Sequence, residues 1–137
     1  MNLKPNAKFT LPPTFIQTCI DSTIVLDSAI NTKNFYVDLE LLKRIDPISV
    51  TLYLNEHKNI KVTNFDSLVK VKSSWLKKEF FQNDIICFEK VNNNNGDTIL
   101  VETIKRRAID ASFGTEMIFK KEKGKLVCIK SNITWIN

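Results

Sequence analysis

The sequence predicts an α+β protein in which N-terminal helices pack on a curved antiparallel sheet. Three observations carry this. Apolar residues recur at three- and four-residue spacing from Phe15 to Ala29 and again from Phe65 to Phe80. From Ile85 onward the pattern turns to alternation, with turn signals at Asn95-Gly96, Gly114 and Gly124. With 137 residues, 43% of them hydrophobic, the chain can fill one core but not two. We read residues 1–13, ending in Leu11-Pro12-Pro13, as an extended N-terminal arm and residues 14–137 as a single domain.

Thr14 is placed to cap a helix running to about Ile30, whose apolar positions are Phe15, Ile16, Cys19, Ile20, Ile24, Val25 and Ala29. A rival reading makes the β-branched Thr23-Ile24-Val25-Leu26 a short strand. A second helix is expected over about Val37–Ile45, ending before Pro47. Ile48–Leu54 alternates, Asn55–Asn59 is turn-rich and Ile60-Lys61-Val62 alternates again, which reads as a hairpin. The clearest helix spans 64–82, with Phe65, Leu68, Val69, Leu76 and Phe80 on the face laid against the concave side of the sheet. Strands follow at Ile85–Val91, Thr98–Ala111, Glu116–Lys121 and Leu126–Trp135, with turns at Asn92–Asp97, Ser112-Phe113-Gly114 and Lys123-Gly124.

A straight strand over Thr98–Ala111 would extend about 46 Å at ~3.3 Å per residue. That exceeds the width of such a domain, so the strand must bend, and a bulge is the expected means. Tight turns put Leu100, Ile104, Ala108, Ile118, Val127 and Ile129 on one face, and Ile99, Val101, Ile109, Met117, Phe119, Leu126 and Cys128 on the other. Both faces are apolar, so both need cover. Helices cover one. A second copy of the chain is expected on the other, through Ile99, Val101, Met117 and Phe119 or their counterparts, unless the arm with Phe9 and Leu11 folds over it.

Two helices, a hairpin, a long helix and a curved sheet of antiparallel strands, over about residues 14–136, resemble the nuclear transport factor 2-like superfamily in the order of elements. The best matching stretch is Asp97–Ile136, with Phe113-Gly114-Thr115-Glu116-Met117-Ile118-Phe119 and the following Gly124-Lys125-Leu126-Val127-Cys128-Ile129. Family members often carry a Trp after the final turn, where this chain has Leu126. The resemblance implies a cone with a pocket between sheet and helices. It implies no function, because steroid isomerase-like enzymes, polyketide cyclases, carriers and scaffolds share that fold.

The net charge is +5, and residues 1–69 balance seven basic against seven acidic side chains. Residues 70–137 hold thirteen basic and eight acidic, which marks either an anionic partner or a solubilising surface. Three glycines exclude a glycine-rich phosphate cradle. Cys19, Cys87 and Cys128 are odd in number and sit among apolar neighbours, as buried reduced thiols do. His57 is the only histidine and no Cys-x-x-Cys or His-x-x-x-His occurs, so neither metal nor cofactor is expected. The N-terminus lacks a signal peptide's apolar run, and no stretch approaches the ~20 residues of a membrane span. The expectation is a soluble, cytoplasmic protein with no membrane partner.

Asp110 and Glu116 face each other if the turn at 112–114 is tight, and two close carboxylates raise one another's pKa as an acid/base pair needs. Turn-flanking carboxylates are equally ordinary solvated rim residues. Glu102, Arg106 and Asp110 share strand parity, so an inward Arg106 would bind an anionic ligand. Lys105, Arg106 and Arg107 with Lys120, Lys121, Lys123, Lys125 and Lys130 form one basic patch on neighbouring strands; Lys70, Lys72, Lys77 and Lys78 form another beside Trp75.

The function expected is a non-enzymatic binding protein for a small ligand or a protein, a toxin-neutralising immunity protein being one case. One alternative is a cone-fold isomerase, cyclase or dehydratase with Glu102, Asp110 or Glu116 buried in a cavity. The other is non-specific nucleic-acid binding through the basic patch.

Overall fold

The computed structural model describes residues 10–26, 35–69, 84–94, 97–108, 111–123 and 125–136. Helix α1 spans Phe15–Leu26, so the helical reading of Thr23–Leu26 holds against the strand. Its first turn is set by the Pro12 carbonyl, which accepts the Phe15 N–H at 3.0 Å. Phe15, Ile16, Cys19, Ile20 and Thr23 form its buried stripe.

The next segment corrects two expectations. Val37 belongs to a strand, β1 (Phe35–Asp38), and the short helix α2 is only Glu40–Ile45. Val37 has strand partners on both sides, Val62 and Ile86, which holds β1 extended. The Asp38 carboxylate then accepts the Glu40 N–H at 2.9 Å and ends the strand. Residues 48–54 are not half of a hairpin but lie in a helix, α3 (Pro47–Glu56). Asp46 caps it: its carboxylate accepts the Ser49 N–H at 3.2 Å, and Pro47 supplies a first helical residue with no N–H to satisfy. Burial pushes the Asp46 carboxyl up, but hydrogen bonds from Ser49, Leu11 and Ile48 hold it below its ordinary value. The alternation misled because Ile48 and Leu52 are exposed, 73% and 55%, while Val50 and Tyr53 carry the packing at helical spacing.

Strand β2 (Lys61–Thr63) returns parallel to β1, and α4 (Phe65–Val69) follows. The remainder of the expected 64–82 helix, including Leu76, Phe80 and the lysines from Lys70 to Lys78, lies outside the described residues. Then come β3 (Asp84–Asn94), β4 (Thr98–Ala108), β5 (Ala111–Glu122) and β6 (Lys125–Ile136). The sheet has six strands in the order β2-β1-β3-β4-β5-β6. β3 to β6 pair antiparallel in succession; β1 and β2 extend them in parallel, so the sheet is mixed rather than wholly antiparallel.

The expected long strand is shorter, and the turn at 112–114 does not exist. Ala108 pairs with Ala111, Phe113 pairs with Lys105, and Gly114 lies inside β5 opposite Ile104. The expected bulge is present, as a register shift between Arg106 and Ala108, with others at Phe88/Lys90, Gly114/Thr115 and Ile118/Phe119. Despite the displaced turn the face assignment holds for the described residues of β4 and β5, because the register differs by an even number and side chains alternate with period two; on β6 it fails at Ile129, where the bulge sets Lys130 opposite Ile118. Ile99, Val101, Met117 and Phe119 point together into the core with Phe15, Ile20, Val37, Leu39 and Leu42.

That core removes four residues from the expected dimer contact and leaves only their counterparts on the other face for it. Ile99, Val101, Met117 and Phe119 are fully buried beneath helices of the same chain and offer no surface to a second copy. Leu11, from the arm, is also in this core, with its N–H held by Asp46 at 2.9 Å. Phe65 packs with Tyr36, Ile85 and Cys87 on the sheet face turned away from α1. Among the described residues no helix is long and apolar enough to cross a membrane.

Candidate functional site

The two faces of the sheet carry different chemistry at the end where β3 starts and β4 finishes. On the face under α1 the apolar core gives way to hydroxyls. Thr23 on α1 lies 3.1 Å from Thr103 on β4, and Thr103 hydrogen-bonds Thr115 on β5. Thr23 also donates to the Cys19 carbonyl at 2.8 Å, as a mid-helix threonine facing a core does. One step further along β4, the Lys105 ammonium lies 4.0 Å from Asp84 and 5.1 Å from the Phe113 ring centroid. Both charged side chains are nearly enclosed, which makes this a buried ion pair.

The face turned away from α1 holds the residues singled out in the sequence. Glu102 and Arg106 do share a face, and Glu116 is the register partner of Glu102. Asp110 lies outside the described residues. Glu102 is half-exposed and 3.9 Å from Lys90; Arg106 is 3.7 Å from Glu89 and lies over Phe65 at 4.5 Å. The Arg106 Nε and the Asn132 Oδ1 are buried without a hydrogen-bond partner. Burial pushes the Cys87 thiol up to about 12, with Asp38 adding to it and Arg106 opposing. Beside these groups, Glu89, Glu102, Gly114, Thr134 and Trp135 help line a cleft of about 230 Å³.

Neither Trp135 nor Glu89 is among the candidate site residues that the sequence pattern marks. The signal for Trp135 was Gly114, a glycine inside a strand rather than a turn residue. A Cβ at Gly114 would come within 2.2 Å of the Trp135 Nε1, so only glycine leaves room for that ring. Asp84 was missed because it begins its strand, just ahead of the apolar run that defined it.

The basic residues do not form one patch. Lys105 is enclosed with Asp84, whereas Lys120 pairs with Thr98 at the far end of β4, beside Glu122 at 3.9 Å. Lys121, Lys123, Lys125 and Lys130 are exposed on the β5–β6 hairpin. The Arg107 side chain lies outside the described residues.

His57 ends α3: its N–H and its Nδ1 both meet the Tyr53 carbonyl, and its ring stacks on Tyr53 at 4.2 Å. It borders a cleft of about 380 Å³ with Gln17, Glu56 and Lys61. Among the described residues no group of three or more His, Cys, Asp or Glu side chains is arranged to hold a metal ion. Cys19 and Cys87 are buried, but Cys128, expected inside, is exposed on β6, which among the described residues is an edge strand.

Compared with known proteins, the chain matches no family model, no curated protein and no solved structure.

Proposed function

We propose that this chain is a non-enzymatic binding protein, and that it recognises a protein partner through β6. One observation carries the reading: Val127, Ile129, Ile133, Trp135 and Ile136 are all exposed on a single edge strand. They lie on both faces of the strand, Ile133 and Ile136 opposite Thr115 and Phe113, and Val127 and Trp135 opposite Lys120 and Gly114; apolar side chains left exposed along a strand are what partner-binding surfaces retain. The position of Glu102 agrees with it, since a half-exposed carboxylate already facing Lys90 is a poor acid/base catalyst. A toxin-neutralising immunity protein fits this reading as one case.

The test is to isolate the tagged full chain from its native host under mild crosslinking and map the crosslinks. A stoichiometric protein partner bridged to residues 125–136 supports the reading. A chain that returns alone, or bound only to a small molecule, overturns it.

One observation favours a second reading, a small cone-fold isomerase or cyclase. The enclosed Asp84–Lys105 pair beside the threonine hydroxyls sits on the helix-covered face, where the resemblance implies a pocket. Solvent extraction of the purified protein followed by mass spectrometry tests it: a bound small molecule lost from Asp84→Asn supports an interior site.

A further inference from the structure

We infer that the outer edge of β6 takes up an extended acidic segment of the partner as a seventh strand. The inference rests on the binding reading above and adds the chemistry of what is bound. Among the described residues the strand order leaves one side of β6 without a neighbouring strand over Lys125–Ile136, whereas the opposite edge of the sheet, β2, is only Lys61–Thr63. A long edge presents a row of backbone donors and acceptors, the template for strand addition.

Charge selects the occupant. From Met117 to Ile136 the hairpin carries five lysines and one glutamate, and β6 itself has Lys125 and Lys130 with no acid. The lysines run from the hairpin turn to Lys130 at mid-strand, and the most exposed apolar side chain of β6, Ile136 at 78%, lies at the other end. A complementary segment therefore carries carboxylates at one end and branched apolar side chains at the other. The N-terminal residues 1–9 do not match, having Lys4 and Lys8 and no acid. A second copy does not match either, because two-fold pairing of β6 brings Lys130, near the middle of the strand, close to its own mate. Nucleic acid would satisfy the lysines yet leave the amide row and Ile129 unused, with Trp135 the one aromatic platform on the strand.

The experiment selects displayed random twelve-residue peptides on the immobilised full chain, then measures hydrogen exchange of the complex with the best synthetic peptide. The expected winners are acidic, rich in Val, Ile and Thr and free of proline, and they protect amides within 125–136. Lys130→Glu, an exposed change that leaves the fold intact, should weaken binding roughly tenfold, while Lys43→Glu on α2 should not alter it. Neutral or basic winners, protection elsewhere, or indifference to Lys130→Glu would overturn the inference. So would an absence of winners, which would mean that the bulges and Lys130 simply blunt the edge. Protection of the same amides by oligouridylate, or by self-association in sedimentation, would assign the edge to phosphate or to a second copy. A crosslinked partner whose footprint misses β6 would sink this inference and leave a binding function standing. A chain that returns alone would sink the binding reading itself.

Discussion

β5 and β6 lie side by side and pair along most of their lengths, yet they have opposite fates. Met117 and Phe119 on β5 are fully buried, while Ile129 and Ile133 on β6 are exposed, at 53% and 38%. Both strands are rich in branched and aromatic residues, so composition does not separate them. Cover does. Helix α1 runs close to β6 as well as to β4, yet on β6 only Leu126 packs against the buried core. Apolar character in a strand is thus a demand for cover, and the arrangement of the other elements decides which strand has that demand met within its own chain.

The largest test of the contrast is on the covered side. Phe119→Ala should cost roughly 3–5 kcal/mol in urea unfolding, since it removes a fully buried ring from beneath α1. A loss below ~1 kcal/mol would mean that the β5 face is not the core.

A smaller effect is expected where the covered face turns polar. Thr103 bridges Thr23 and Thr115, so Thr103→Val leaves the Thr115 hydroxyl without that partner and should cost about 1–3 kcal/mol. Adding Thr115→Val should recover part of the loss, because removing both partners is less costly than stranding one. Two changes that simply add would show that the hydroxyls are not coupled.

The thiols give a third comparison, read through pH. Cys87 is pushed from its ordinary value of 9.0 up to about 12, chiefly by burial. Above pH ~9 the unfolded chain has lost a proton that the folded chain keeps, so stability falls as pH rises toward 12, and below ~8 this group contributes no pH dependence. Cys19, raised by burial and by Cys128, acts in the same direction. Urea midpoints from pH 7 to 10.5 should decline, and less steeply in Cys87→Ala. In native buffer one thiol, Cys128, should react with a labelling reagent promptly and the other two only on unfolding. Equal rates for all three would contradict the contrast between the strands.

How much of this was legible in the sequence follows from which signals are local. Alternation exposed the faces of β4 and β5, and an error in the position of the turn did no damage to them because it was even. The helix α3 was misread because Ile48, Val50, Leu52 and Leu54 alternate as a strand would, and the opposing signal, Asp46-Pro47, is a cap whose force lies in a hydrogen bond to Ser49. β1 was invisible: four residues become a strand through partners some 25 and 50 positions downstream, Val62 and Ile86. At the candidate site, the shared face of Glu102 and Arg106 followed from parity, but the Glu102–Glu116 pairing and the Trp135–Gly114 contact depend on register and on a neighbouring strand.

The smallest expected effect is the one that bears most directly on β6. Ile129→Ser and Ile136→Ser each remove an apolar side chain that stands largely in solvent, so each should change stability by no more than about 0.5 kcal/mol. The same substitution at Ile99, equally apolar but fully buried two strands away, would be expected to be severe. The comparison is informative because the three residues are chemically identical and belong to the same sheet. If Ile129→Ser costs more than ~2 kcal/mol in the isolated chain, then another part of this chain covers the edge, and β6 is not free to receive a partner. If it is neutral alone yet destabilises the complex with the native partner, the apolar surface of β6 is retained for binding rather than for folding.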